Sequence, residues 1–250
     1  MGGQYIEPML RALKALSPAP GGACLVCRVW GDGGLCADCA ARFATAVPRC
    51  LRCGLRTAQA LSACGHCLHE APRLSRTVTV ADYGFPWDRL LSAFKYSGQA
   101  ELATPLARLL ARAVLGAGPP LPGLLLPVPL ATERLRERGY NQAWELARRL
   151  PALLQVPAPG LQARADLLLR LRDTPHQTGL TRAQRLANLR HAFLVEPRQA
   201  AALAGQRVAL VDDVLTTGAT AATAAQCLLD GGAAEVQLWV LARTPPPEER

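Results

Sequence analysis

This sequence predicts an α/β fold, a parallel sheet with helices on both faces, preceded by a small cysteine-rich module held by metal. Three observations carry that expectation. Beyond residue 73, short apolar runs alternate with segments of helical apolar spacing, the pattern of parallel strands joined by crossover helices. One such run, Val208 to Val211, leads into two acids and a hydroxyl-rich turn that opens a helix. Four CxxC pairs crowd the first third of the chain.

In chain order, residues 1–22 read as a short amphipathic helix and linker. Glu7, Arg11 and Lys14 interrupt what would be the apolar region of a signal peptide, and no run of eighteen apolar residues occurs. Ile6 stands where a myristoylation signal needs Ser or Thr. The expectation is a cytoplasmic protein without membrane insertion.

Residues 23–72 form the cysteine module. Cys24/Cys27, Cys36/Cys39, Cys50/Cys53 and Cys64/Cys67 supply eight thiols, which match two tetrahedral zinc sites of four cysteines each. Disulfides would suit a secreted chain, and a redox dithiol needs a single pair. The segment is poor in apolar runs and rich in turn formers such as Gly31, Gly33, Gly34 and Pro48, so metal replaces the missing core. Sequential and interleaved pairing of the knuckles are both compatible with the spacing. His66 and His69 are expected to be bystanders, and Cys227 an apolar residue on a later helix.

Composition limits the partners. The chain has 250 residues, half of them apolar, enough to bury a sizeable core. Its formal charge is +9. Residues 1–72 carry seven Lys/Arg and four Asp/Glu, so two Zn²⁺ on eight thiolates shift that segment by −4, from +3 to −1. The remaining positive charge lies on the larger part, residues 73–244, where an anionic ligand needs it. Residues 245–250 read as a flexible tail.

Within residues 73–244, Thr77 to Tyr83 read as a strand and Trp87 to Phe94 as a helix, with Lys95 and Tyr96 in a loop before Gly98. Leu102, Leu106, Leu109, Leu110 and Val114 mark an inward-facing helix. Leu124 to Pro129 read as a strand ending in a Pro-stiffened turn. Arg134, Arg136 and Arg138 then crowd a helix entry before Gly139, Tyr140, Asn141 and Gln142. Guanidinium groups bind phosphates in forked pairs, which favours Arg134 and Arg138, with Asn141 and Gln142 beside them. Lys95 is either a pyrophosphate contact or incidental. Asp166 to Leu171 and His191 to Val195 read as further strands. Between them lies a long polar segment with Arg172, Thr174, His176, Gln177, Arg182, Arg185 and Asn188, of the kind that closes over ligands. The last strands are Val208 to Val211 and Val236 to Leu241. Ligands of such sheets bind beyond the carboxyl ends of the strands, where Asp212, Asp213 and the turn Thr216, Thr217, Gly218, Ala219 and Thr220 are expected. Free backbone N–H groups at the start of the next helix suit a phosphate.

The thirteen residues VALVDDVLTTGAT resemble the phosphoribosyl pyrophosphate (PRPP) signature of type I phosphoribosyltransferases. The resemblance implies that PRPP is bound by Val211, Asp212, Asp213, Thr216, Thr217, Gly218, Ala219 and Thr220, with Asp212 and Asp213 on the ribose hydroxyls and Thr216 to Thr220 on the 5′-phosphate. It also implies a phosphoribosyltransferase-like sheet, Mg²⁺ arriving with PRPP, and a loop carrying Arg185 that closes over the diphosphate. Taken with the CxxC set, FKYSG, LPVPLATERLRERGYNQA and TPHQTGLTRAQRLANLRHAF, in that order, the chain resembles the ComF family of competence-associated, phosphoribosyltransferase-like proteins with a double zinc ribbon. That family is associated with DNA uptake in natural transformation.

Three functions remain open at this level. The first is an enzyme that transfers a phosphoribosyl group from PRPP to an unknown acceptor, with Asp212 and Asp213 on the ribose and Lys95, Arg134, Arg138 and Arg185 on the leaving diphosphate. The second is a binding module for PRPP, another phosphoribosyl ligand or single-stranded DNA, whose ribbons contact a competence helicase or uptake protein. Only twelve Phe, Trp and Tyr residues offer stacking platforms for that. The third is a zinc module that only stabilises a catalytic neighbour.

Overall fold

The computed structural model describes residues 21–171 and 192–245. The expected N-terminal helix, the polar segment with Arg172, Thr174, His176, Gln177, Arg182, Arg185 and Asn188, and the tail beyond residue 245 lie outside the described residues.

The centre is a five-stranded sheet, all of it parallel, in the order β3 (Arg76–Asp82), β9 (Glu235–Arg243), β8 (Arg207–Leu215), β4 (Leu124–Pro127), β5 (Gln162–Ala163). The central strands read as unbroken apolar runs because both faces are covered. On one face Ala209, Val211, Trp239 and Leu241 meet α3 (Trp87–Tyr96), α4 (Ala103–Ala117), α6 (Gln142–Ala147) and α7 (Leu150–Leu153). On the other, Val208, Leu210, Leu238 and Val240 pack with α8 (Ala219–Asp230). Helix α4 follows its sequence pattern: Leu106, Leu109, Leu110 and Val114 are all buried, each worth about 1.5–3 kcal/mol relative to exposure.

Several expectations need correction. Lys95 and Tyr96 are not in a loop; they form the last turn of α3. The arginine-rich entry is two helices, α5 (Thr132–Arg138) and α6, because Gly139 takes a left-handed conformation (φ 78°) that stops α5. Residues 168–170 and 193–195 do form strands, β6 (Leu168–Arg170) and β7 (Phe193–Val195), but they pair antiparallel with each other outside the main sheet. Strand β5 had no distinct pattern in the sequence. Strand β8 runs on through both acids to Leu215 instead of ending before them.

The cysteine segment contributes β1 (Gly22–Ala23), β2 (Trp30–Gly31), α1 (Ala37–Phe43) and α2 (Gly65–His69). It lies against the edge of the sheet. The Thr77 N–H donates to Leu51 O (2.7 Å) and the Thr77 hydroxyl to Arg52 O (2.6 Å), while Arg49 pairs with Asp82. Edge strand β3 is thereby covered along its outer side, which removes an exposed edge. At the other end of the segment, Trp87 Nε1 donates to Phe43 O (2.9 Å).

Candidate functional site

The site at the carboxyl end of the sheet grows from the alternation of a strand. Successive side chains of β8 point to opposite faces. Asp212 lines a small cavity together with Leu215, Thr216, Thr217, Gly218, Thr220, Leu238 and Val240. Its volume is about 60 Å³. Asp213 points the other way, is 3% exposed, and lies 3.0 Å from the Lys95 ammonium. The second oxygen of that carboxylate, Oδ2, meets Lys95 Nζ off the angle of a hydrogen bond, so it is an ion pair without a directed bond. The Asp213 N–H donates to Asp212 Oδ1 (2.9 Å). Burial first, then the Asp213 charge, push the Asp212 carboxyl well above the ordinary carboxylate range, and this N–H and Lys95 only partly offset them.

The turn after β8 leaves backbone amides open at a helix start. Gly218 has φ 83° and is the N-cap of α8, a left-handed position where a side chain is strained. No side chain caps this helix. Among the described residues the N–H groups of Thr217, Gly218, Thr220 and Ala221 find no protein acceptor; that of Ala219 leans on Thr217 Oγ1 at 3.5 Å. Free amides at the positive end of a twelve-residue helix attract negative charge. A cavity of about 800 Å³ opens elsewhere, lined by Gly118 to Gly123, Val156 to Leu161 and Gly205 to Arg207. Those residues precede β4, β5 and β8, so it lies at the amino end of the strands. Its greater size does not outweigh the chemistry at the carboxyl end, where such sheets bind ligands.

The other expected site residues divide. Arg138 joins the site's rim: its guanidinium stacks 4.8 Å over the Tyr96 ring, and Nη2 donates to the Tyr96 hydroxyl (3.3 Å). Tyr140, just after it, donates to Phe94 O and fixes the α5–α6 corner on α3. Arg134, one helical turn before Arg138, is half-buried without an acidic partner among the described residues. Asn141 is a helix cap, accepting from the N–H groups of Ala143 (2.9 Å) and Trp144 (3.3 Å). Gln142 is buried at 3% exposure. Asn141 is thus engaged in capping α6 and in donating to Val128 O (3.2 Å), whereas Gln142 Oε1 is buried with no hydrogen-bond partner among the described residues. Arg185 lies outside the described residues.

The sequence offered no sign of Arg243. At 9% exposure it donates from Nε to Cys53 O (3.0 Å) and from Nη1 to Leu215 O (3.0 Å) and Thr244 O (2.7 Å), with a further contact to Thr216 O. One guanidinium thus joins the cysteine segment to the turn that would hold the phosphate.

The eight thiols assemble as two sequential clusters, Cys24/Cys27/Cys36/Cys39 and Cys50/Cys53/Cys64/Cys67, with the sulfurs of each within 4.8 Å of one another. This decides the pairing the spacing left open. Sulfur–sulfur distances of 3.6, 3.9 and 3.7 Å match the roughly 3.8 Å edge of a tetrahedron with Zn–S arms of about 2.3 Å, and are far beyond a disulfide. Backbone N–H groups of Cys36 and Cys64 point at Cys24 and Cys50 sulfur (3.4 and 3.2 Å). Burial opposes ionisation of those two thiols, but backbone N–H donors win and bring them down to about 6 and about 7. The donor set fits structural zinc. His66 and His69 are not part of either cluster.

No family model matches the chain. Its relatives are informative. The DNA utilization protein YhgH of Escherichia coli O157:H7 is 38% identical over 231 residues, 89% of this chain and 97% of that protein. Competence protein F of Haemophilus influenzae is 35% identical over 84% of this chain and 90% of its own length, and competence protein ComFC of Bacillus subtilis 30% identical over 71% and 68%. This chain belongs to the ComF family. Among solved structures, an allosteric regulatory enzyme of purine biosynthesis superposes with a TM-score of 0.37 at 15% identity, covering 60% of this ComF chain and 29% of that one. A fit that loose fixes neither fold nor function. Among the described residues of the ComF chain, no helix is long and apolar enough to cross a membrane.

Proposed function

We propose that this ComF-family chain binds a phosphoribosyl ligand, PRPP in the first instance, and works from the cytoplasm in the use of DNA taken up by the cell. The observation that carries the ligand reading is the turn Thr216 to Thr220. Its unclaimed amides stand at a helix start beside the Asp212 carboxyl. The DNA role follows from relatives named for DNA utilization and competence.

In this reading the turn Thr216, Thr217, Gly218, Ala219 and Thr220 holds the 5′-phosphate, and Asp212 accepts from the ribose hydroxyls, while Val211, 0% exposed, anchors the strand that carries them. Asp213 acts behind it by holding Lys95. Arg134, Arg138 and, on closure, Arg185 meet the diphosphate. Mg²⁺ bound to the diphosphate would supply charge neutralisation as it departs. The protein's part is then to orient the ribose and to exclude water. The eight cysteines hold two structural Zn²⁺.

Phosphoribosyl transfer is the first form of the proposal. A second form, binding without transfer, is favoured by one observation: Lys95 is already committed to Asp213 and not free to meet a leaving group. Calorimetric titration with PRPP, with and without Mg²⁺, tests the common core. Micromolar binding that Asp212→Asn weakens at least tenfold is expected, and the lack of any binding overturns it. Pyrophosphate release on adding candidate acceptors separates transfer from binding.

A further inference from the structure

Among the described residues, four aromatic side chains stand open to solvent: Trp30, Tyr83, Phe85 and Tyr96. Two of them flank one helix. Phe85 (60% exposed) precedes α3 and Tyr96 (70%) ends it. Arg89, the exposed Ser92 and Tyr96 follow at steps of three and four on one face of α3, and Phe85 meets that face through Arg89. Each ring has its own cation. Arg89 lies 5.5 Å over Phe85 and Arg138 lies 4.8 Å over Tyr96. At the start of the stripe, Phe43 of the first cysteine cluster's helix meets Phe85 edge to face at 5.7 Å, with Arg42 over it. At the far end, Lys95 next to Tyr96 is paired with Asp213. The stripe therefore runs from the first cysteine cluster to the rim of the anion site.

From this we infer that the outer face of α3 is a track for single-stranded nucleic acid, with Phe85 and Tyr96 stacking bases and Arg42, Arg89 and Arg138 facing the phosphates. Exposed rings interleaved with guanidinium groups are what unpaired bases on a polyanionic backbone require. A protein partner would be met by an apolar patch, and these rings are separated by charge. The ten residues of α3 that separate the rings run about 15 Å at about 1.5 Å each, several times the roughly 3.4 Å between stacked bases. The two rings thus serve different bases. The track rests on the DNA reading above and gives it an address that shares Arg138 with the diphosphate end of the phosphoribosyl site and leaves the turn Thr216 to Thr220 clear.

The test uses the full zinc-loaded chain and a fluorescent oligothymidylate, read by anisotropy. Phe85→Ala and Tyr96→Ala should each weaken binding by about five- to a hundredfold, the usual loss for one stacked base, while Tyr96→Phe and Phe85→Trp restore it. Three phosphates neutralised predict a slope of log K against log salt near −2 for the parent chain, and Arg89→Gln should reduce its magnitude by about 0.7. PRPP titration of Phe85→Ala should be unchanged. Oligonucleotide binding that ignores both alanine variants, or no binding by the parent chain, overturns the track. Loss of PRPP binding in Asp212→Asn with oligonucleotide binding intact leaves it standing, so the two readings fail separately.

Discussion

Asp212 is held in an unfavourable state, and that can be measured. Burial and the neighbouring Asp213 carboxylate raise its pKa in the fold above its unfolded value. The native chain therefore binds more protons than the unfolded chain from about pH 4, the unfolded carboxylate pKa, up to the raised native value. Stability must fall as pH rises through that window. Asp212→Asn removes the charge at constant shape. The variant should match the parent at pH 3.5 and exceed it by about 1–3 kcal/mol at pH 7.5, read as the shift of urea midpoints. Equal midpoints at both pH values would mean the carboxylate is comfortably solvated. The same proton must leave if the ligand needs the ionised form, so the PRPP binding enthalpy at pH 7 should vary with the ionisation enthalpy of the buffer. A residue kept costly at a ligand cavity is one retained for what it binds. That much was legible in the chain, because strand, acids, turn and helix are contiguous. Lys95 was harder: its partner is 118 positions away, and no local pattern reports which distant carboxylate a lysine meets.

At the scale of elements, the end of β9 explains why the cysteine segment and the anion site occur together. Arg243 spans Cys53 O, Leu215 O, Thr216 O and Thr244 O, so the second cluster and the turn share one buried cation. Arg243→Met would strand those carbonyls, at about 1–3 kcal/mol for each buried group left unsatisfied, and should lower the melting temperature markedly. Arg243→Lys is the finer probe, keeping the charge without the planar fork. We expect it to bind two zinc per chain but to weaken PRPP binding about tenfold. Unchanged affinity would show that the turn holds its shape alone. This link was invisible in the sequence, where an arginine closing a strand reads as a surface residue; burial made it structural. The misread strands β6 and β7 share that cause. Short apolar runs announce a strand but not its partner, and β6 and β7 found each other instead of the main sheet. Gly139 hid the α5–α6 break for a related reason, since a helical pattern resumes at Gln142, only three residues beyond it.

For the whole molecule, the two clusters are alike in ligands and unlike in attachment, and this predicts different consequences of losing each. The second cluster is tied to the sheet through Thr77, the Arg49–Asp82 pair and Arg243. The first reaches the larger part through Trp87 donating to Phe43 O and through the Phe43–Phe85 contact. Because this segment lacks a large core of its own, a lost metal should unfold the residues around it. Cys24→Ser and Cys53→Ser should each leave about one zinc per chain. Cys53→Ser releases the support beneath Thr216 and uncovers β3, so it should lower both the melting temperature and PRPP affinity, and promote aggregation through the bared edge. Cys24→Ser should spare PRPP binding but weaken oligonucleotide binding, because Arg42 and Phe43 leave the start of the track. Metal content, melting temperature and the two titrations on the same preparations check this. If both variants lose the same function to the same degree, the clusters act as one unit, and no separate routes run from each metal to its own site.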